Sequence, residues 1–490
     1  MQAVTQRFNY LFRSTKGLTL VAIAMIALAT AFFGMLSGPM TEFGVRDFMV
    51  RTFGLKLLQI EREGRIIMLY HSLAMAVVAI EVYFITSLLP MKEQEQVRIN
   101  STITVGYLCA MIFGLWFAYG GHNWILHGLF IFGLSLVFFS GVLLALALWP
   151  WRKEYRIQDP AYAHTRSGTS LERLAFFTMA ASTLISVFFG AIPGSYFGNG
   201  FESFLAEDLI REPEKTTLEL AVIGHLHIML ALIAVAIALI VGRWFDFKGK
   251  WHKAAMPLMI IGSIVLSMGV WFVVPFESIA HIIIYVGSSF VMLAALFLVI
   301  FGWGKLIRER LAEQGIQKAT FGRKIASLLH DPLKFGPLWQ MVFMNFTVSG
   351  VGIFMAAKLD EIIRVWPWRE ERIVLTGHWH ILGAIIATII LLYYGDLIGL
   401  KGRLRRLYGW GIILFSDLAF ASVTLFETKR LYVSEANQQP IVNWTMLLAD
   451  IGLASVLVVL ASLLIWRLLD LFKKKGLWTK ELIESESERS

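Results

Sequence analysis

Long apolar runs separated by short polar segments recur along the whole chain. Each run has roughly 18 to 25 residues or more, which is enough for an α-helix to cross about 30 Å of hydrocarbon. The runs lie at 17–37, 66–90, 101–120, 124–149, 172–195, 217–241, 254–275, 279–303, 337–358, 373–399, 406–427 and 443–469. The shortest breaks are 121–123 and 276–278. The pattern predicts an all-α, polytopic membrane protein with about twelve transmembrane helices.

Composition agrees with a chain that lies mostly in lipid. Hydrophobic residues make up 57% of the 490 residues and charged residues only 16%. No stretch has the composition of a soluble domain, so we expect a single membrane domain over 1–490. Within it, 471–490 is expected to form a polar cytoplasmic tail that is disordered from residue 480. The apolar run near the N-terminus lacks a small-residue cleavage site and is interpreted as a retained first helix.

The distribution of lysine and arginine predicts the orientation. Twelve spans place both termini on one side of the membrane, and that side holds 31 of the 44 basic residues, whereas the other holds 13. Basic residues are enriched on the cytoplasmic face, so both termini should be cytoplasmic. The net charge of +9 therefore reflects topology and contact with the lipid bilayer, and it gives no reason to expect a nucleic-acid partner. On the outer face, the segment 38–65 is expected to hold a surface helix where a redox partner docks.

A histidine-containing segment recurs three times. His71 opens the second span, Gly224-His-Leu-His227 the sixth and Gly377-His-Trp-His380 the tenth, at spacings of 156 and 153 residues. Polar residues inside a bilayer are costly and are usually functional, although a duplicated packing motif remains an alternative. Each repeat holds four spans, which predicts parallel repeats around an axis along the membrane normal. The predicted repeats cover about 1–150, 151–303 and 304–470.

The spacing of the paired histidines favours haem over a single chelated ion. Residues i and i+2 of an α-helix point about 200° apart, so His378 and His380 face opposite sides of their span, as do His225 and His227. A flat haem between helices takes one axial imidazole from each side. The single cysteine, Cys109, excludes an intrachain disulfide and covalent haem attachment through C-x-x-C-H.

With these motifs the chain resembles the catalytic subunit (subunit I) of the haem–copper oxidase superfamily, nearest to the cbb3-type oxidases and nitric oxide reductases. The resemblance covers most of the chain, and it includes the segment 348–354 before the tenth span. It implies that His71 and His380 are the axial ligands of a low-spin haem and that His378 is the proximal ligand of a second haem. It also implies that His225 matches a ligand of the family's non-haem metal.

The chain departs from the family at the seventh span. The family places a His-His pair there to complete the copper site, but 269–276 contains no histidine. Copper is therefore not expected, and His225 is either the sixth ligand of the second haem or a distal hydrogen-bond donor to it. His227 and His281 are weaker candidates for a third cofactor, since a structural hydrogen bond explains His227 more simply. The resemblance also assigns Lys429 and Arg430 to the haem propionates.

The function implied is electron transfer in a respiratory complex of a bacterial or archaeal cytoplasmic membrane, through two haem groups of b type. The expected partners are cytochrome c-type or other redox subunits on the outer face, with quinone as one candidate acceptor. A divergent terminal oxidase or nitric oxide reductase is the alternative, and a haem-based sensor or a transporter on the same scaffold is a second. The sequence leaves open whether the chain is an enzyme, and it identifies no catalytic residue.

Overall fold

The computed structural model describes residues 2–37, 41, 43–58, 62–196 and 216–487, and no β-strand forms among them. Within these ranges twelve segments are long and apolar enough to cross a membrane, which confirms the predicted all-α polytopic class. The helices are α1 (Gln2–Arg13), α2 (Thr15–Ser37), α3 (Val45–Phe53), α4 (Arg62–Leu88), α5 (Glu93–Gly120), α6 (Trp124–Ala147), α7 (Leu171–Tyr196), α8 (Thr217–Trp244), α9 (Lys250–Glu313), α10 (Phe321–Leu328), α11 (Pro332–Phe343), α12 (Gly350–Ala357), α13 (Trp368–Leu397), α14 (Gly402–Thr428), α15 (Gln438–Phe472) and α16 (Leu477–Ser487). Two π-helical segments, Met344–Ser349 and Leu359–Ile363, flank α12.

Both of the shortest predicted breaks separate two spans. Between α5 and α6 the chain leaves the helix, and the Asn123 side chain caps α6 by accepting from the Ile125 amide at 2.7 Å. The seventh and eighth spans are two helices that meet at a sharp kink within α9, where Phe276 has non-helical dihedral angles (φ −147°, ψ 59°). They fold back on each other, because a Cβ added to Gly269 would lie 2.8 Å from the Ile284 amide nitrogen. Pro275 precedes this kink, and a proline inside a helix removes a backbone donor and bends the axis.

The Cα positions divide the chain into two compact units. The first comprises Met1–Trp149, Thr183–His225 and Leu463–Ser490, and the second comprises Pro150–Ser182 and Leu226–Ser462. In the first unit, α5 and α6 pack closely because glycines face each other's backbone. A Cβ added to Gly133 would lie 2.4 Å from the Ala110 amide nitrogen, so only glycine permits this separation.

Buried polar groups join helices in the second unit. The Asp417 carboxylate on α14 accepts hydrogen bonds from Trp339 Nε1 at 2.8 Å and from Gln340 Nε2 at 2.7 Å, both on α11. Hydrocarbon offers no hydrogen-bond partner, so polar side chains in spans must be satisfied by protein. These bonds hold α11 against α14.

The sixth and tenth spans, which open with similar motifs, also end in the same conformation. Asp246 and Gly399 occupy matching positions after α8 and α13, with φ of 49° and 69°. The next amide in each case donates to the carbonyl five residues earlier, from Phe247 to Gly242 at 2.9 Å and from Leu400 to Gly395 at 3.2 Å. This is the left-handed helix end of a Schellman motif.

The segment predicted to hold a surface helix does form one. Helix α3 runs from Val45 to Phe53 and exposes Phe48 and Phe53. Residues 38–40, 42 and 59–61 of the same segment lie outside the described part of the chain.

The prediction that the chain is disordered from residue 480 is wrong for residues 480–487, which belong to α16. Trp478 is 2% exposed and packs near Tyr10 of α1. Arg467 at the end of α15 is fully buried and pairs with Glu481 at 2.6 Å, and Tyr10 Oη donates to the same carboxylate at 2.7 Å. The polar composition of residues 480–490 predicts disorder, but the ion pair between the buried Arg467 and Glu481 orders α16.

Removal of that counter-ion should release α16. In Glu481→Ala the buried Arg467 guanidinium loses its close carboxylate, which costs about 3 kcal/mol or more. We expect trypsin to cut at Lys473–Lys475 at least tenfold faster in the purified protein. The control is Glu484→Ala, because its ion pair with Lys16 (3.1 Å) is exposed and contributes little. Equal cleavage of both variants would contradict the proposed role of the buried pair.

Candidate functional site

His71 lies in the third turn of α4, and its ring is held by its own helix. Its Nδ1 atom is 2.9 Å from the Ile67 carbonyl oxygen, one turn earlier. A carbonyl can only accept, so Nδ1 carries the proton and Nε2 keeps a lone pair. This is the tautomer in which histidine binds a metal through Nε2 while a backbone carbonyl orients the ring.

His225 has the same arrangement with a carbonyl from another helix. It lies in the third turn of α8, and its Nδ1 atom is 3.2 Å from the Ser186 carbonyl oxygen on α7. Gly190 lies one turn after Ser186, and a Cβ added there would be 2.6–2.7 Å from Cε1, Nε2 and Cδ2 of the His225 ring. The ring therefore packs on bare backbone, and its Nε2 also keeps a lone pair.

The two imidazoles lie next to each other in the first unit. The His71 and His225 ring centroids are 6.3 Å apart, and the ring planes differ by 12°. Two imidazoles that bind one metal ion through Nε2 from opposite sides, with metal–nitrogen bonds of about 2.0 Å, have centroids about 6 Å apart. The observed separation matches that spacing.

A second histidine cluster lies in the second unit. Trp379 contacts the histidine before it in the chain and also His227, whose ring it meets edge-on at 4.8 Å. The predicted approach segment reaches the same cluster, because a Cβ on Gly352 would lie 3.6 Å from the His378 ring. His380 and His281 are both exposed.

The carboxyl group of Glu427 explains why the tenth-span motif begins with a glycine, Gly377. A Cβ on Gly377 would lie 1.6 Å from Glu427 Oε1. Glu427 is 4% exposed, and its Oε1 has no hydrogen-bond partner among the described residues. The Glu427 side chain on α14 thus occupies the space that any side chain at position 377 would need.

The residues predicted to contact propionates already have acidic partners. Lys429 is 2% exposed and forms an ion pair with Glu370 at the start of α13. Arg430 lies 3.6 Å from the exposed carboxylate of Glu435. The propionate role of both residues stays a prediction.

The structure brings together some of the predicted ligands. His71 and His225 are adjacent in the first unit, whereas His227, His378 and His380 belong to the second. The predicted pairings of His71 with His380 and of His225 with His378 join residues of different units and stay predictions. Within the described ranges, no group of three or more His, Cys, Asp or Glu side chains could hold a metal ion.

Sequence reasoning missed the residues that hold the rings. Ser186 and Gly190 are small residues four positions apart in an apolar span, a pattern that marks close helix approach in membranes. This spacing is visible in the sequence, but it does not identify the helix that packs against Ser186 and Gly190. The contact of Glu427 with Gly377 had no signal in the sequence.

Comparison of the chain with protein-family models, with curated proteins and with solved structures found no match. The function is therefore argued from the residues of the chain itself.

Substitution of Gly190 by alanine should displace the His225 ring. The added methyl group would overlap three ring atoms, so the ring must rotate and lose its hydrogen bond to Ser186. We expect the melting temperature of the purified protein to fall by several degrees. Gly128→Ala, with open space around the added Cβ, is the matched control and should be neutral or stabilising because alanine favours helix. The same melting temperature for both variants would contradict the packing described for His225.

Proposed function

We propose that this protein is a haem-binding electron-transfer subunit of a respiratory membrane complex. The observation that carries the proposal is the apposition of His71 and His225, with centroids 6.3 Å apart and each Nδ1 held by a backbone carbonyl. Both rings then have an available Nε2 lone pair. Polar side chains inside apolar spans are costly and are usually functional.

The number of ligands supports haem over a single ion. Protein zinc sites use three or four side chains, and the part of the chain described here gathers no such group. Haem brings four nitrogens of its own, so the protein has to supply only two axial imidazoles. His71 and His225 fit that requirement, and a haem held by two imidazoles supplies one-electron transfer.

The chain's own residues determine how the site is held. The Ile67 and Ser186 carbonyls fix the tautomer of the two rings and orient them. Gly190 sets the depth of the His225 ring between the helices. Both rings are half-buried among apolar spans, and such surroundings limit the access of solvent to a site.

A second haem of b type rests on the resemblance to haem–copper oxidases. His378 or His380 is the candidate for one of its axial positions, since the two rings point to opposite sides of their helix. Gly352 packs near His378, and Trp379 between the two histidines contacts His227. Electrons would enter from a cytochrome c-type or other redox subunit on the outer face and leave to quinone or another acceptor. Copper is not part of the proposal.

The purified protein should contain about two haems per chain. We expect b-type bands in the reduced-minus-oxidised spectrum, because non-covalent haem needs no cysteine anchor, and quantification by pyridine haemochrome. A preparation without haem would refute the proposal. Carbon monoxide binding to the reduced protein would show an open iron and would favour the oxidase, reductase or sensor alternatives.

Single histidine variants should identify the axial pairs. If His71 and His225 share a haem, His71→Ala and His225→Ala each remove the same low-spin spectral component, about half of the total. His380→Ala should then remove the other component. His164→Ala, in an exposed loop, is the control and should retain both. Loss of one component in both His71→Ala and His380→Ala would favour the pairing implied by the resemblance.

A further inference from the structure

A cavity of about 580 Å³ lies in the second unit at the ends of several spans. It is bounded by the end of α8, the last turns of α9, the start of α11 and the start of α14. This is the end of the helices that the lysine and arginine distribution predicts to be cytoplasmic. The lining residues that matter here are Trp244, Lys305, Arg310, Lys334, Arg405 and Arg406.

The floor of the cavity is a satisfied ion network. Arg405 binds both Asp331 oxygens, at 2.8 and 2.6 Å, and it also donates to Asp396 at 2.6 Å. Lys334 lies 2.9 Å from Asp396, and Trp244 Nε1 donates to that carboxylate at 2.8 Å. The positive charges of Arg405 and Lys334 are balanced by the negative charges of Asp331 and Asp396, so the floor of the cavity has no net charge.

The rim of the cavity carries more positive than negative charge. Lys305 donates to the Phe245 carbonyl at 2.8 Å, and its Glu309 partner is 3.7 Å away. Arg406 is exposed, and no acidic side chain in the described chain lies within ion-pair distance of it. Arg310 pairs with Glu313 at 2.9 Å, so the rim holds three cations, Lys305, Arg310 and Arg406, against two carboxylates, Glu309 and Glu313. The mouth of the cavity is therefore positively charged.

We propose that this cavity binds the phosphate headgroup of an anionic phospholipid. Basic pockets between transmembrane helices on the cytoplasmic side suit such headgroups, and guanidinium groups recognise phosphate oxygens with paired hydrogen bonds. Apolar lining residues, among them Phe245, Leu306 and Leu328, suit the glycerol and first methylenes of the lipid. A free phosphate compound shares the headgroup chemistry but not these apolar contacts.

The test compares lipids on the full-length protein in mild detergent. Phosphatidylglycerol should raise the melting temperature by several degrees, and phosphatidylcholine should not. Arg406→Gln should weaken the apparent affinity for phosphatidylglycerol about fivefold, and addition of Lys305→Gln should weaken it about fivefold again. Arg323→Gln is the matched control, because Arg323 lies on the same basic segment but outside the cavity, and it should bind like the wild type.

Three results would overturn the proposal: equal stabilisation by phosphatidylcholine, wild-type affinity in Arg406→Gln, or equal loss in Arg323→Gln. A further arm uses glycerol 1-phosphate, and stabilisation by this compound at the same concentration would assign the site to a free anion and not to a lipid. Melting without lipid, followed by circular dichroism, verifies that each variant folds. If the double variant does not fold, the affinity of Arg406→Gln for phosphatidylglycerol is the deciding measurement. This single variant should fold, because the Arg406 side chain is exposed and forms no ion pair with a described residue.

Discussion

An imidazole in a membrane-spanning helix must find its hydrogen-bond partner inside the protein, because the surrounding hydrocarbon offers none. The protein meets this requirement with backbone carbonyls at Ile67 and Ser186. A carbonyl has two lone pairs, so it can accept from a histidine ring without giving up its helical bond. The same bond directs the second ring nitrogen away from the partner. In this protein, the polar requirement of the bilayer thus also leaves His71 and His225 each with a free lone pair on Nε2.

The same constraint accounts for contacts elsewhere in each unit. Asp417 is satisfied by Trp339 and Gln340 within the second unit, and Arg467 is satisfied by Glu481 within the first. Such pairs do not necessarily add stability over apolar packing, but loss of one partner is costly. Each pair therefore specifies which helix lies beside which, a choice that uniformly apolar surfaces leave undetermined.

The sequence predicts the fold where a structural feature depends on residues that are close together in the chain. Span positions follow from the length of apolar runs, and the break at 121–123 follows from Asn123, a residue that caps the next helix. The ring directions were predictable as well, since His225 faces Ser186 and Gly190 whereas His227 meets Trp379. The contacts of Gly190 and Glu427 were not, because they depend on which distant helix lies opposite. The order in α16 escaped prediction for the same reason: its partners, Tyr10 and Arg467, lie far away in the chain or on another helix.

The missing histidine pair of the seventh span and the apposition of His71 with His225 have a common chemical consequence. A copper or non-haem iron centre needs three or more protein ligands around one ion, whereas a porphyrin leaves only its two axial positions to the protein. Residues 269–276 offer no imidazole, and His71 and His225 offer two that share one tautomer and lie next to each other. When both axial positions of an iron are filled by imidazole, no position remains for a gas, and the chemistry that remains is the passage of an electron. The ligand count thus supports the proposed electron-transfer function on grounds separate from the resemblance to the oxidases.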